Sequence, residues 1–324
     1  MYRFTTSSPR GRSDNPAIPT PIIIDCDPGH DDAIALLLAL GSPELELLGV
    51  TTTYGNQTLE KTTANALRVL ELAGRSDVPV AAGAAEPLER ELAVAAHVHG
   101  ESGLDGPTLP PPSAEPVTDD AVGWIAGTVA DAAGPVTLVA TGPLTNVARY
   151  LAPHGVDGVE RIVLMGGSIA EGNMTPAAEF NIWADPEAAQ AVYHAGIDIT
   201  MIGLDVTHLA LTTSAIQERL RAAGTIGVFV ADLVDFFAVY HRETYGWDGA
   251  PIHDAVAVAH VIQEGLVTTI HRNVEIELES DLCRGRTVVD RWRRTDRPVN
   301  AHVGIDLDAD GFFDLLVERI GRLG

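Results

Sequence analysis

Cysteine is nearly absent from this chain: two residues, Cys26 and Cys283, among 324. Two thiols cannot build a disulfide framework and are too few for a thiolate metal centre. Basic residues are also scarce. Lys and Arg number 21 against 45 Asp and Glu, a formal charge of -24. Such a surface repels nucleic acid and anionic lipid, so neither is expected as a partner. No apolar run approaches the roughly 20 residues that span a membrane. There is no Gly-rich phosphate cradle of the Walker or dinucleotide type. Residues 1–21 are rich in Ser, Arg and Pro and lack the apolar segment of a secretory signal. They are expected to form a disordered leader ahead of a cytoplasmic protein.

Hydrophobic residues make up 46% of the chain and charged residues 20%, enough for a large core. The run Ile22-Ile23-Ile24, bounded by Pro21 and Pro28, reads as a fully buried strand. Helical and strand patterns then alternate to about residue 204. Expected strands lie at 45–53, 78–81, 136–140, 161–165 and 198–204. Expected helices lie at 30–41, 59–72, 144–151 and from Pro186 to His194, where Asp185 caps and Pro takes the first position. This alternation predicts an α/β fold with a central, mostly parallel sheet and helices on both faces, in one domain spanning 22–324. After Thr207 the chain becomes helical, with expected helices at 214–223, 227–245 and 254–262. Short strands follow between 274 and 306, and a closing helix at 308–320. In sheets of this kind ligands sit beyond the carboxyl ends of the strands. Those ends carry Asp25 and Asp27, Gly55-Asn56, Thr141, and Met165-Gly166-Gly167.

Four carboxylates, Asp25, Asp27, Asp31 and Asp32, crowd the end of the first strand. Helix capping explains one or two of them, but four at the mouth of a buried strand are costly unless something neutralises the charge. Hard cations such as Ca2+ or Mg2+ take oxygen ligands and would do so. Phosphatases that place two aspartates one residue apart after a strand usually carry Thr or Val two positions after the second; Gly29 stands there. A second constellation, Asn173 through Glu179 and Asn181 in a segment expected to be irregular, offers hydrogen-bond partners for hydroxyls. A third is Pro251-Ile252-His253-Asp254, which pairs a proton carrier with a carboxylate at a helix start. The long segment 83–116, with His97-Val98-His99-Gly100, reads as a functional loop.

In this order, the pieces resemble the inosine-uridine-preferring nucleoside hydrolase family. Asp25 to Ala33 matches its motif Asp-x-Asp-Pro-Gly-x-Asp-Asp-Ala, and the match runs over roughly residues 22–320. The resemblance implies a bound Ca2+ and hydrolysis of a ribonucleoside to ribose and free base. It implies that Asp27, Asp32, Asp254 and the Thr141 carbonyl hold the ion, with Asp27 also the base for an ion-bound water. It implies that Asp31, Asn56, Asn173, Glu179 and Asn181 bind ribose, that Met165 lines the pocket, and that His253 assists the leaving base. His99 falls where the family often has a residue facing the base. Tyr240, His241 and Tyr245 could stack on or bond a base, or simply pack their helix. Asp25 is expected to orient its neighbours. A homodimer or homotetramer is also implied. The sequence leaves the preferred base open. The competing readings are a metal-stabilised nucleoside-binding protein without turnover and a metal-dependent phosphohydrolase.

Overall fold

The computed structural model describes residues 18–324. In chain order its first half comprises β1 (Thr20–Cys26), α1 (His30–Leu40), β2 (Leu45–Thr52), α2 (Leu59–Leu72), β3 (Val80–Ala82), α3 (Ala96–His99), α4 (Ala121–Asp131), β4 (Val136–Ala140), α5 (Thr145–His154) and β5 (Val159–Met165). There follow α6 (Phe180–Ala184), α7 (Pro186–Tyr193), β6 (Asp198–Ile202), α8 (Leu204–Thr207), α9 (Ser214–Ala222), α10 (Thr225–Tyr245) and α11 (His253–Ile262). The chain ends with β7 (Val267–Arg272), β8 (Val274–Ile276), β9 (Thr287–Val289), β10 (Ala301–Leu307) and α12 (Ala309–Gly321).

Eight strands form one sheet in the order β3-β2-β1-β4-β5-β6-β10-β7. Every neighbouring pair is parallel except β10 with β7. β8 and β9 form a separate antiparallel ribbon. β1 shows why its sequence is apolar without alternation. Ile22, Ile24 and Cys26 pack into the core on the face of α1, α2, α10 and α11, while Ile23 packs into the core on the face of α4, α5 and α7. Alternate side chains point to opposite faces, and helices cover both, so every position from Ile22 to Cys26 is buried. Each such isoleucine contributes about 1.5–3 kcal/mol on burial.

The mostly parallel sheet and single domain agree with the sequence pattern, and α7 is capped as expected, Asp185 accepting from Ala188 N at 3.0 Å. Four local features differ. β1 begins at Thr20, so Thr20 and Pro21 pair with Leu45 and Glu46 and do not belong to a leader. The rest of that segment, residues 1–17, lies outside the described residues. The stretch expected to be irregular ends in the short helix α6. The segment 83–116 contains α3. Finally, β7 was not anticipated. It is an edge strand, half-exposed and carrying Thr268, Thr269, His271 and Arg272, so it lacks an apolar signature. Among the described residues no helix is long and apolar enough to cross a membrane.

Candidate active site

The ends of β1, β2, β4 and β5 converge with the N-terminus of α11 on one cleft, whose empty space including its mouth is about 690 Å³. Asp31, Asn56, His99, Thr141, Met165, Asn173, Glu179, Asn181, Tyr240, His241, Tyr245, His253 and Asp254 all line it. Asp25, Asp27 and Asp32 are buried beneath the lining. The side chains singled out in the sequence therefore fall in one place, although more than two hundred residues separate the first from the last.

Each carboxylate has distinct surroundings. Asp25 accepts from Thr51 Oγ1 at 2.5 Å and Asn146 Nδ2 at 2.8 Å, which ties β1 to β2 and α5. Burial still pushes its pKa up to about 6 against those two hydrogen bonds. Asp27 Oδ2 accepts from Asn56 N at 2.6 Å, while its Oδ1 is buried with no partner. The backbone at Gly55 makes this approach possible. Its φ is +153°, and a Cβ there would lie 2.0 Å from Asp27 Oδ2. Asp32 accepts from Gly29 N at 3.1 Å, Asn56 Nδ2 at 2.8 Å and Thr141 Oγ1 at 2.8 Å. Asp31, Asp32 and Asp254 place one carboxylate oxygen each within 4.8 Å of one another.

Burial raises all of these groups, and repulsion from neighbouring carboxylates adds to it at Asp27, Asp31 and Asp254. Asp31 moves to about 7, and Asp27 and Asp254 rise well above the usual carboxylate range. Four buried carboxylates this close cannot all ionise without a countercharge. Among the described residues no Lys or Arg lines the cleft to supply it. An oxygen-only donor set and an orphaned carboxylate oxygen suit a hard divalent cation, which would return these groups to their ionised forms. The tightest acidic group contains Asp31, where the sequence pointed to Asp27; Asp27 borders it and raises the pKa of Asp254.

The opposite wall is built from amides. Glu179 caps α6, accepting from Asn181 N at 2.9 Å, Ile182 N at 3.2 Å and Gly167 N at 2.8 Å. Burial nonetheless lifts its pKa to about 7. Asn181 Nδ2 donates to the Thr141 carbonyl at 2.7 Å and the Met165 carbonyl at 3.1 Å, tying the ends of β4 and β5 together. Asn173 Oδ1 accepts from Phe180 N at 2.9 Å.

Histidines and aromatic rings roof the cleft. His253 is buried, with Nδ1 2.7 Å from Thr207 Oγ1. Burial, helped by neighbouring imidazoles, drives its pKa well below the ordinary value. His241 packs against Tyr245 and Trp247, which stack on each other at 4.6 Å. Its Nδ1 lies 2.9 Å from the Phe237 carbonyl, so the proton sits on Nδ1 and Nε2 is the acceptor.

A model of the inosine-uridine preferring nucleoside hydrolases matches residues 22–314. This chain belongs to that family. Its reaction class is hydrolysis of the N-glycosidic bond of ribonucleosides. Similar curated proteins include a pyrimidine-specific ribonucleoside hydrolase RihA from Photobacterium profundum, 53% identical over 306 residues, covering 93% of this chain and 99% of the relative. The protein of that name from Salmonella typhimurium is 53% identical over 304 residues, covering 93% and 98%. Among solved structures, the plant nucleoside hydrolase PpNRh1 superposes with a TM-score of 0.87 at 35% identity, covering 94% of this chain and 99% of that one. A purine-preferring ribonucleoside hydrolase from Gardnerella vaginalis gives 0.88 at 35%, with the same coverage.

This nucleoside hydrolase has cleft residues that the sequence did not single out: Met174, Phe180, His208 and Phe237. One of them was within reach. Phe237, His241 and Tyr245 recur every four residues along α10 and so share one helix face. His208, just past α8, carried no such periodicity.

Proposed function

We propose that the chain is a Ca2+-dependent hydrolase of pyrimidine ribonucleosides. The observation that carries the reading is the buried group of Asp31, Asp32 and Asp254, with the unpartnered Asp27 Oδ1 beside it, at the floor of a cleft roofed by His253 and His241. Asp27, Asp32, Asp254 and the Thr141 carbonyl would hold the ion. A divalent cation there lowers the pKa of a water molecule that it touches and keeps the surrounding carboxylates ionised.

The remaining steps belong to the chain. Asp27 is held by Asn56 N through one oxygen, which leaves Oδ1 free to take a proton from the attacking water. Asp31, Asn56, Asn173, Glu179 and Asn181 grip the ribose hydroxyls, with Met165 against the sugar. A substrate lacking a hydroxyl would leave some of these buried groups unpaired. The sugar gains oxocarbenium character as the bond breaks, and the carboxylates beneath it stabilise that charge. A Thr207 hydroxyl donating to His253 Nδ1 leaves the His253 proton on Nε2, where it hydrogen-bonds the departing base.

Support for a pyrimidine comes from the relatives that are 53% identical and carry that specificity in their names. The test is ribose release from uridine, cytidine, inosine and adenosine in the presence of Ca2+. The reading expects uridine and cytidine to be cleaved with the higher kcat/KM. Faster cleavage of inosine would overturn the base preference, and no ribose from any of the four would overturn the activity.

A further inference from the structure

His30 opens α1 between the carboxylates of the motif, is buried, and does not line the cleft. Its Nε2 lies 2.8 Å from the Asp105 carbonyl oxygen. A carbonyl only accepts, so the His30 proton sits on Nε2 and Nδ1 carries a lone pair. That lone pair faces His99 Nδ1 at 3.1 Å. The contact is a hydrogen bond only if His99 carries its proton on Nδ1. The His30 backbone N–H also approaches His99 Nδ1, at 3.3 Å, and would favour the opposite tautomer. That tautomer keeps the 3.3 Å backbone hydrogen bond but sets two lone pairs against each other at 3.1 Å in a dry interior, whereas the Nδ1–H tautomer gives up the longer backbone contact and makes the shorter ring hydrogen bond, so the ring contact decides. Doubly protonating His30 instead would place a buried cation at the N-terminus of α1, where the helix dipole opposes it.

The surroundings hold both rings in place. Phe236 and Phe237 each stack on His30 at 5.3 Å and 4°. The Asp105 side chain accepts from Glu101 N at 2.9 Å and Ser102 N at 3.1 Å, which fixes the turn bearing its carbonyl. Gly29 leaves the room that His99 needs, since a Cβ there would lie 2.5 Å from His99 Nδ1. His99 Nε2 makes no hydrogen bond among the described residues.

We propose that His30, oriented by the Asp105 carbonyl, is a positioning residue that locks His99 in the Nδ1–H tautomer. His99 then presents an acceptor to the cleft and reads an N–H on the substrate base, such as the uracil ring N–H or the cytosine amine. It does not donate a proton to the leaving base. The inference rests on the ribonucleoside reading for its substrate, whereas the tautomer itself does not.

Nitrogen-15 NMR of the histidine-labelled, Ca2+-supplied protein reads the tautomer directly, with His99 assigned by a His99→Gln variant. The expected result is Nδ1–H in the wild type. His30→Leu leaves only the backbone donor and is expected to flip His99 to Nε2–H. His30→Asn, whose Oδ1 can replace the lost acceptor, is expected to restore Nδ1–H. In kinetics, His30→Leu should lower kcat/KM for uridine about tenfold, the effect of one misdirected hydrogen bond. It should act far less on 4-nitrophenyl riboside, which has no ring N–H, and His30→Asn should recover most of the uridine rate. Nε2–H in the wild type overturns the proposal. So does an equal loss on both substrates in both variants, which would mark His30 as merely structural. If the wild type releases ribose from no ribonucleoside, the functional reading and the base-reading role fail together. The tautomer is still decided by the spectrum.

Discussion

At the scale of single residues, groups that look alike in the sequence have different surroundings in the fold. Asp25 and Asp27 are two positions apart and each has one buried oxygen without a partner, yet Asp25 is tied by the Thr51 and Asn146 side chains while Asp27 is held only by the Asn56 backbone N–H and borders Asp254. Asp27→Asn keeps the size and removes the charge. It should cut kcat on the order of 10³-fold or more, because base and ion ligand are lost together. Turnover near the wild-type level would remove Asp27 from the mechanism. His253→Ala should slow uridine cleavage far more than cleavage of an activated aryl riboside, whose leaving group needs no hydrogen bond. Steady-state kinetics on both substrates check this, and equal losses would mean that His253 does not act on the base. The Asp motif and His253-Asp254 were legible because charged residues beside apolar runs are conspicuous. Phe237 and His208 were not, because a ring can equally pack the core, and only the fold shows which way it faces.

At the scale of elements, the site depends on short connections at strand ends more than on the strands. The turn after β2 puts Asn56 N on Asp27 and Asn56 Nδ2 on Asp32, which needs the backbone of Gly55 at φ +153°. Gly55→Ala would press a methyl group on Asp27 and strain the turn, costing about 1–3 kcal/mol. The urea midpoint should fall and kcat with it; an unchanged midpoint and rate would show that the turn adapts freely. The parallel strands were readable because burial on both faces leaves continuous apolar runs. β7 escaped because an edge strand needs no such run. α6 escaped because its five residues are too few to show a period, and its cap, Glu179, could equally be a ligand.

At the scale of the molecule, charge is the organising quantity. A chain of net charge -24 buries its densest carboxylates at one edge of the sheet and raises their pKa values. Without a cation, Asp25 at about 6 and Asp31 and Glu179 at about 7 bind more protons folded than unfolded. Their stabilisation is complete below the ordinary carboxylate range, about pH 4, and is lost as pH rises through their folded values to about 7. The Tm of the chelated protein should therefore fall as pH is raised across that window. A Ca2+ ion held there would need the carboxylates ionised, so its affinity should rise over the same window. Calorimetry at several pH values checks both trends, and a Tm that climbs with pH in the chelated protein would contradict the electrostatics. The fold class was readable at this scale from strand–helix alternation alone. The proximity of Asp31 to Asp254 was not readable, because the two meet through the packing of α1 on α11, elements far apart in the chain.

The most direct measurement is uridine hydrolysis by one preparation assayed three times: as purified, after exhaustive chelation and dialysis, and after Ca2+ is restored. The account predicts that chelation abolishes ribose release and that Ca2+ alone brings it back. Undiminished turnover in the chelated protein, verified to be free of metal, would contradict it.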